Sequence, residues 1–206
     1  MNIIIHPPHN EWSALLQRPA MDHSMLEAAV LEVLNNVKQN GDKALVEFTQ
    51  RFDGVLLKNI KVSDVEIAAA EQELTTELKA AIAQAKENIE RFHAAQVQPV
   101  VKVETMPGVQ CWRKSIGIEK VGLYIPGGSA PLFSTVLMLG IPAVLAGCRE
   151  IILCTPPGKD GNIHPAVLYA AKVAGITQVY KAGGAQAIAA MAYGTETVPA
   201  VFKIFG

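Results

Sequence analysis

The sequence predicts an α/β protein in which a helical region precedes a parallel sheet. The main evidence is the regular alternation of short β-prone runs with helical runs from residue 118 onward. A second indication is an uneven composition. Residues 1–110 carry 10 basic and 15 acidic residues and 3 of the 16 glycines, whereas residues 111–206 carry 8 basic and 4 acidic residues. Charged, glycine-poor sequence is typical of exposed helices, and glycine-rich, charge-poor sequence is typical of a sheet buried on both faces.

The division of the chain follows this change in composition. We predict an N-terminal arm over residues 1–20, a helical region over residues 21–118 that ends in a β-hairpin, and an α/β module over residues 119–206. With 50% hydrophobic residues and a net charge of −1, the chain can bury a sizeable core and is not typical of a disordered tail. The charge balance gives no reason to expect a nucleic-acid partner, and no apolar run is long enough to cross a membrane.

The helical region is predicted from apolar residues at helical spacing. One helix ends at Gly41, and a second runs from residue 42 to residue 52. The capping-box pair Ser63 and Glu66 begins a third, long helix that Pro99 closes. The apolar residues that line the first and third helices are Leu26, Val30, Val33, Leu34 and Val37, and Leu74, Leu78, Ile82, Ala85, Ile89 and Phe92.

Residues 100–125 contain three β-prone runs, which predict a hairpin that leads into a buried strand. After that strand, helices and strands alternate. Because connections of this length join parallel neighbours, we expect right-handed βαβ units and a Rossmann-like sheet with flanking helices. The predicted strands cover residues 118–125, 150–154, 178–181 and 201–205, and the predicted helices cover residues 131–147, 165–174 and 185–193.

Ligands of such sheets bind where the strands end, so the turns at residues 126–131, 155–161 and 182–186 are the candidate functional region. Gln186 would lie in the first turn of a helix and could offer its amide to a ligand. An exposed helix residue without a role is the alternative at this position. Tyr124 lies near the end of the first strand, and the alternative there is a buried aromatic side chain.

Two of these turns contain a pair of glycines, Gly127-Gly128, which Ser129 follows, and Gly183-Gly184. A diglycine between a strand and a helix lets a ligand approach the backbone and leaves amide groups free for an anion. We predict that these turns lie at the tips of adjacent parallel strands and form half of a dinucleotide cradle. A purely structural turn is the alternative.

Two common nucleotide motifs do not match. A P-loop would need a lysine where Gly128 stands. The G-x-G-x-x-G spacing of dinucleotide-binding folds is absent, and the second strand ends in Cys154-Thr155 instead of the acidic residue that would bind a ribose. The sequence therefore excludes these two standard sites.

Residues for metal binding or nucleophilic catalysis are poorly supported. Cys154 ends a strand near the presumed cleft and could attack an aldehyde as a thiolate. No histidine is placed by sequence to activate it, so a buried cysteine is the favoured interpretation. We interpret His93 as a packing or surface residue. No histidine has the spacing of a zinc ligand within this chain; the five are His6, His9, His23, His93 and His164.

The cysteines and the N-terminus bear on the cellular compartment. Cys111, Cys148 and Cys154 are too few and too scattered for a disulfide framework. The first residues lack the basic segment of a secretory signal. Both observations favour the reducing cytoplasm.

Three stretches around the predicted turns form a specific combination of motifs. Residues 121–139 read VGLYIPGGSAPLFSTVLML, residues 183–190 read GGAQAIAA, and residues 203–206 read KIFG. Together they resemble histidinol dehydrogenase of histidine biosynthesis. The helical region, with Asn36-Val-Lys and Gly41-Asp-Lys-Ala-Leu, is similar to the N-terminal part of the same family. The resemblance therefore covers nearly the whole chain.

This resemblance implies an enzyme that oxidises L-histidinol to L-histidine through an aldehyde, histidinal, with two hydride transfers to NAD. It implies that the full-length protein requires zinc and is a homodimer with an aldehyde dehydrogenase-like fold, which would be incomplete here. In the family, the tyrosine and the glutamine of the matching motifs contact NAD. The resemblance thus assigns cofactor binding to Tyr124 and Gln186.

The family also has residues for which this chain has no matching position. After the Lys-Ile-Phe-Gly motif the family continues with Pro-Gly-Asn and later supplies the zinc ligands and a Glu-His pair for acid/base catalysis. We therefore expect a truncated N-terminal portion that contains no catalytic residue and no metal ligand. Oxidation of an alcohol needs a base and a group that stabilises the oxyanion, so we expect the chain alone to be inactive.

Two other functions stay open at this point. The chain could be a non-catalytic assembly fragment whose helical region binds a partner. It could also be an aldehyde dehydrogenase-like enzyme with Cys154 as its nucleophile.

Overall fold

The computed structural model describes residues 3–18, 24–128, 130–176 and 178–206. These residues form an α/β structure in which helices flank a parallel sheet, as the sequence predicts. The division into an arm, a helical region and an α/β module stays a prediction. A 3₁₀ turn covers His9–Glu11, and the helices are α1 (Trp12–Leu15), α2 (Ser24–Asp53), α3 (Asp64–Glu73), α4 (Thr76–Ala94), α5 (Phe133–Leu145), α6 (Pro165–Val173) and α7 (Gly184–Tyr193).

The strands form two separate sheets. The predicted hairpin is an antiparallel pair, β1 and β2, whose residues are all exposed. The other four strands are parallel and lie in the order β5-β4-β3-β6. The strands are β1 (Lys102–Met106), β2 (Val109–Trp112), β3 (Lys120–Tyr124), β4 (Glu150–Thr155), β5 (Gln178–Lys181) and β6 (Lys203–Phe205).

The strand order corrects one prediction. The two diglycine turns follow β3 and β5, and β4 lies between these strands, so the prediction of adjacent strands is wrong. The reason is that β4 follows β3 along the chain and takes the position beside it. The next right-handed crossover then places β5 on the far side of β4.

Both faces of the parallel sheet are buried, as predicted. Along β4, Ile151 and Leu153 point into a core with α5, α6, α3 and α4, whereas Ile152 and Cys154 point into a core with α2 and α7. Successive side chains of a strand alternate between the faces, so each strand contributes to both cores. The helical region therefore packs directly against the sheet layer.

The helical region differs from the prediction in one element. The backbone breaks at Gly41, with φ 52° and ψ −130°, where the sequence predicts the end of the first helix. The capping box of Ser63 and Glu66 is also confirmed. The prediction of a single long helix after it is wrong, because the chain forms two helices there. The backbone of Leu74 is extended, and the side chain of Thr75 accepts a hydrogen bond from the backbone N–H of Leu78. Thr75 is thus the N-cap of a new helix, α4, and threonine is a favoured residue at N-cap positions.

A short segment that the sequence did not reveal covers one edge of the sheet. The N–H of Val62 donates to the carbonyl of Val179 at 2.9 Å, and the N–H of Lys181 donates to the carbonyl of Ile60 at 2.8 Å. This antiparallel contact satisfies groups that an edge strand would otherwise leave unpaired. The buried ammonium of Lys181 lies 2.5 Å from a carboxylate oxygen of Glu66, which ties α3 to the same edge.

A carboxylate connects the kink of α2 to the loop before β6. Asp42 accepts hydrogen bonds from the hydroxyl of Thr195 at 2.5 Å, from the N–H of Thr197 at 3.2 Å and from the hydroxyl of Thr197. In return, the N–H of Asp42 donates to the carboxylate of Glu196 at 2.8 Å. These bonds fix the loop between α7 and β6.

Within the described residues, no helix is long and apolar enough to span a membrane.

Replacing Asp42 with alanine removes an acceptor that three donors share. We expect Asp42→Ala to lower the free energy of unfolding by about 1–3 kcal/mol, because the donors of the loop lose their partner. Urea unfolding followed by circular dichroism measures this loss. Glu47→Ala, at an exposed position of the same helix, is the control and should change stability little. Equal stability of the two variants would contradict the role of Asp42.

Replacing Glu66 with glutamine leaves Lys181 without its ion-pair partner. Burial alone raises the pKa of Glu66, but the hydrogen bonds from Lys181 and Ser63 outweigh it, and the pKa lies below its ordinary value. A lowered pKa in the folded state contributes stability above the ordinary glutamate value of 4.5, and this stability is lost as the pH falls through the folded-state pKa.

We therefore expect Glu66→Gln to cost about 1–3 kcal/mol of stability at pH 7 and progressively less below pH 4.5. Unfolding curves at several pH values measure the difference. Glu71→Gln, which breaks the more exposed pair with Lys172, is the control and should show a smaller effect. A Glu66→Gln effect that does not depend on pH would refute this electrostatic explanation.

Candidate functional site

The candidate site lies at the carboxyl edge of the parallel sheet. The N–H of Ile125 donates to the carbonyl of Cys154 at 3.0 Å, and the N–H of Ala182 donates to the carbonyl of Thr155 at 3.0 Å. The sheet therefore ends at the same level in β3, β4 and β5. The turns that leave these strands meet around Pro156, the first residue after β4.

The turns after β3 and β4 line a cleft of about 590 Å³. Its other walls are α3 and the beginning of α6. The third predicted turn, residues 182–186, is not part of this lining. Ser129 in the first turn lies outside the described residues. Gly127 and Gly128 also line the cleft, and its residues with polar side chains include Glu66, Glu73, Thr155, Asp160, Asn162 and His164.

Tyr124 connects the end of β3 to the beginning of α7. Its ring packs against the core that contains α2 and α7, on the opposite face of the sheet from α5 and α6. Its hydroxyl oxygen accepts a hydrogen bond from the N–H of Gly184 at 3.0 Å. One amide that the diglycine turn was expected to leave free therefore has a partner. The phenolic proton of Tyr124 is not needed for this bond and can be donated elsewhere.

Gln186 lies in the first turn of α7, as predicted, but it is only 1% exposed. The alternative of an exposed helix residue is therefore wrong. The carboxamide oxygen of Gln186 is buried and has no hydrogen-bond partner among the described residues. It lies 2.8 Å from the position that a Cβ on Gly184 would occupy, and Gly184 has a φ of 60°, so this position requires glycine.

A buried acceptor without a partner is unusual, because such groups are nearly always satisfied in native structures. Tyr124 and Gln186 both lie beside Gly184, so the structure brings the two predicted cofactor-binding residues to the same helix N-terminus. They do not line the cleft, which opens on the other face of the sheet.

The charged groups of the cleft are mainly carboxylates. Hydrogen bonds from the backbone N–H and the side chain of Asn162 hold the pKa of Asp160 below its ordinary value. Asp160 and Glu66 are therefore ionised at neutral pH. Ionised carboxylates accept hydrogen bonds from hydroxyl groups such as those of a ribose. The sequence singled out Glu66 only as part of a capping box and did not single out Asp160, because neither acid belongs to a recognisable ligand-binding motif.

His164 acts as a helix cap in this wall of the cleft. Its Nδ1 accepts a hydrogen bond from the N–H of Ala166 at 3.2 Å, directly before α6 begins with Pro165. A ring nitrogen that accepts must be unprotonated, so the neutral tautomer with a proton on Nε2 fits this contact. The cap gives this histidine a structural role.

Cys154 cannot be the nucleophile of an aldehyde dehydrogenase-like enzyme. Its side chain is fully buried, and this burial raises the pKa of the thiol to about 12. The reactive thiolate is therefore absent at neutral pH. The preferred interpretation, a buried strand-end cysteine, is confirmed.

The other histidines do not gather around a metal-binding position in the described part of the chain. His9 stacks on Trp12, and His93 lies near the end of α4, where its ring contacts Gln96 and the edge of Phe92. His23 lies outside the described residues. No group of three or more potential metal ligands occurs among the residues that the structure describes.

Comparison with known proteins places the chain in a family. The family model "Histidinol dehydrogenase" matches residues 16–206. Histidinol dehydrogenase from Bacteroides thetaiotaomicron is 58% identical over all 206 residues, which cover 48% of that protein. Histidinol dehydrogenase from Yersinia pestis is 56% identical over 94% of this chain and 43% of its own length.

A solved structure agrees with these matches. The crystal structure of histidinol dehydrogenase from Elizabethkingia anophelis superimposes with a TM-score of 0.92 at 54% identity, over 97% of this chain and 46% of that chain. The chain thus spans about half the length of the relatives that it matches. The resemblance inferred from the motifs is confirmed, and the chain belongs to the histidinol dehydrogenase family.

Proposed function

We propose that this chain contributes the cofactor-binding surface of an enzyme that oxidises L-histidinol to L-histidine through histidinal with NAD. The observation that carries the proposal is the family match over residues 16–206, which includes both diglycine motifs. The reaction of the whole enzyme, its substrate and its partners belong to this proposal, because the chain covers only part of each relative.

We propose that Tyr124 and Gln186 contact NAD, which accepts a hydride when it is bound. The hydroxyl of Tyr124 can donate its proton to the ligand while it still accepts from Gly184. The unpartnered oxygen of Gln186 can accept from a ribose hydroxyl or from the carboxamide of the nicotinamide. Because Gln186 is buried, contact with a ligand requires the backbone at Gly184, the glycine beside its carboxamide oxygen, to move aside.

The cleft on the other face would take a second part of the dinucleotide. The backbone amides of Gly127 and Gly128 can donate to phosphate oxygens, and Asp160 can accept from a ribose hydroxyl. Pro156 lies between this cleft and the beginning of α7. A dinucleotide that crosses the carboxyl edge could therefore contact both diglycine turns.

The zinc requirement is also a proposal for the whole enzyme. The described residues do not fit a zinc site, because they contain no cluster of three suitable ligands. We therefore assign no zinc-dependent step to this part of the chain and propose that the ligands belong to the portion of the relatives that it does not cover.

The remaining proposals concern fold relationship, assembly and compartment. Helices on both faces of a parallel sheet support an aldehyde dehydrogenase-like fold. Exposed apolar side chains of the hairpin, among them Val103 and Trp112, support association as a homodimer. The three free cysteines support a location in the cytoplasm, because disulfides are rare in that reducing compartment.

A non-catalytic assembly fragment is the second candidate function, and the exposed hairpin favours it. An isolated two-stranded hairpin is only marginally stable in water, so a partner surface would stabilise β1 and β2. Light scattering and thermal unfolding with and without NAD distinguish the two. Stable association without any thermal shift on adding NAD would favour the assembly fragment.

A variant of Gln186 separates binding from stability. We expect Gln186→Met to weaken NAD binding at least about fivefold, because the ligand loses a buried acceptor. The same variant should keep or slightly raise the free energy of unfolding, because an unsatisfied buried oxygen is removed. Calorimetric titration with NAD and urea unfolding measure the two effects. Gln84→Met, at an exposed position of α4, is the control. Unchanged NAD affinity in Gln186→Met would refute the assignment.

The activity of the isolated chain is a separate prediction. We expect a homogeneous sample supplied with L-histidinol, NAD and zinc to produce no NADH above a protein-free control, because the base and the metal ligands of the reaction have no counterpart among the motifs that match the family. NADH absorbance followed over time measures this. Sustained NADH formation would show that the 206 residues hold the catalytic groups.

A further inference from the structure

We propose that Pro156 is a positioning residue whose ring lies as a spacer between the two diglycine turns and sets the distance between them. The inference rests on the proposed function, because the distance matters only if a ligand crosses both turns. It goes further in assigning a role to a residue that belongs to neither motif.

The contacts of two glycines define the spacer. A Cβ on Gly127 would lie 2.6 Å from Cγ of Pro156, and a Cβ on Gly183 would lie 2.6 Å from Cβ of Pro156. Neither distance is compatible with normal packing. Gly183 has a φ of −113°, and Gly127 is not among the glycines with positive φ, so the backbone would accept other residues at both positions. The ring of Pro156, and not the backbone conformation, makes glycine necessary there.

The surrounding hydrogen bonds hold the spacer in place. The last bonds of the sheet join Ile125 to Cys154 on one side and Ala182 to Thr155 on the other. Pro156 follows immediately, so both turns leave the sheet directly beside its ring. A proline has a fixed φ and no rotatable side chain, which makes it a stiffer spacer than any other residue of similar size.

The position of Pro156 relates the two halves of the proposed site. On the side of Gly127 its ring also lines the cleft. On the side of Gly183 it contacts the turn before α7, where Gly184 bonds to Tyr124 and covers Gln186. A change in the ring should therefore alter the span between the cleft and the pair Tyr124 and Gln186.

The first test is size complementation measured by thermal unfolding. We expect Gly127→Ala and Gly183→Ala each to lower Tm by about 3–10 °C, because an added methyl group overlaps the ring. Pro156→Ala removes Cγ but keeps Cβ. It should therefore rescue Gly127→Ala, whose nearest remaining contact would be 3.7 Å, and should not rescue Gly183→Ala. Pro156→Gly, which also removes Cβ, should rescue Gly183→Ala in part.

A neighbouring glycine provides the control for stability. A Cβ on Gly128 would have its nearest neighbour 4.0 Å away, so Gly128→Ala should leave Tm nearly unchanged. Equal Tm values for Gly127→Ala and the unchanged chain would overturn the spacer. The spacer would also be overturned if Pro156→Ala restored the Tm of both glycine variants, or if it restored the Tm of neither.

The second test measures NAD affinity in the single and double variants. A proline with a purely structural role would not cause the affinity to fall in one variant and recover in the other. We expect Pro156→Ala to weaken NAD binding at least about threefold. The double variant Gly127→Ala/Pro156→Ala should bind NAD more tightly than Pro156→Ala alone, because it keeps the backbone amide of residue 127 and its new methyl group refills the space that the ring leaves. Pro107→Ala, in the hairpin turn, is the control and should not change the affinity.

The outcomes separate the two proposals. If the unchanged chain binds no NAD although the complementation pattern holds, the proposed function fails and the spacer survives only as a packing contact. If the unchanged chain binds NAD and Pro156→Ala binds it equally well, the positioning role is wrong and the proposed function stands. If Pro156→Ala weakens binding and the double variant does not recover it, Pro156 is a direct contact of the ligand and not a spacer.

Discussion

The central strand β4 determines the geometry of the candidate site, because it hydrogen-bonds to β3 on one side and to β5 on the other. Its side chains are buried in both cores, so it cannot shift without disturbing both faces of the sheet. The ends of the three strands are consequently level, and their turns leave the sheet at one edge. Everything proposed for Tyr124, Gln186 and Pro156 depends on that common level.

The periodic parts of the fold were predictable from the sequence, and the relations between distant segments were not. The start of α6 follows from Pro165, which favours the first helical position, and the capping box at Ser63 follows from local spacing. The antiparallel contact of residues 60–62 with β5 joins segments more than 100 residues apart, and no local pattern encodes it. Thr75 was predictable in principle as a second cap, but the apolar spacing on both sides of it continued without interruption.

The sequence locates the turns of the candidate site but does not give their arrangement, and the cofactor role of Tyr124 and Gln186 stays a prediction. Glycine motifs locate the turns, but the sequence does not reveal that β4 separates them or that Gln186 is buried. Burial of a polar side chain depends on how α7 packs against α2, which is a tertiary property. The carboxylates Glu66 and Asp160 come from a helix and a loop that meet only in the folded chain.

Gln186 offers the clearest physical reason to separate folding from function in this chain. A buried carboxamide oxygen without a partner among the described residues costs about 1–3 kcal/mol, and a methionine or leucine of similar volume would avoid that cost. The helix needs no glutamine there, because the amide of Gly184 already bonds to Tyr124 and the neighbouring positions of α7 are buried alanines. Local packing therefore gives no explanation for this residue. The proposed ligand would supply the missing donor, and a glycine at position 184 leaves the space beside the oxygen unfilled by a side chain.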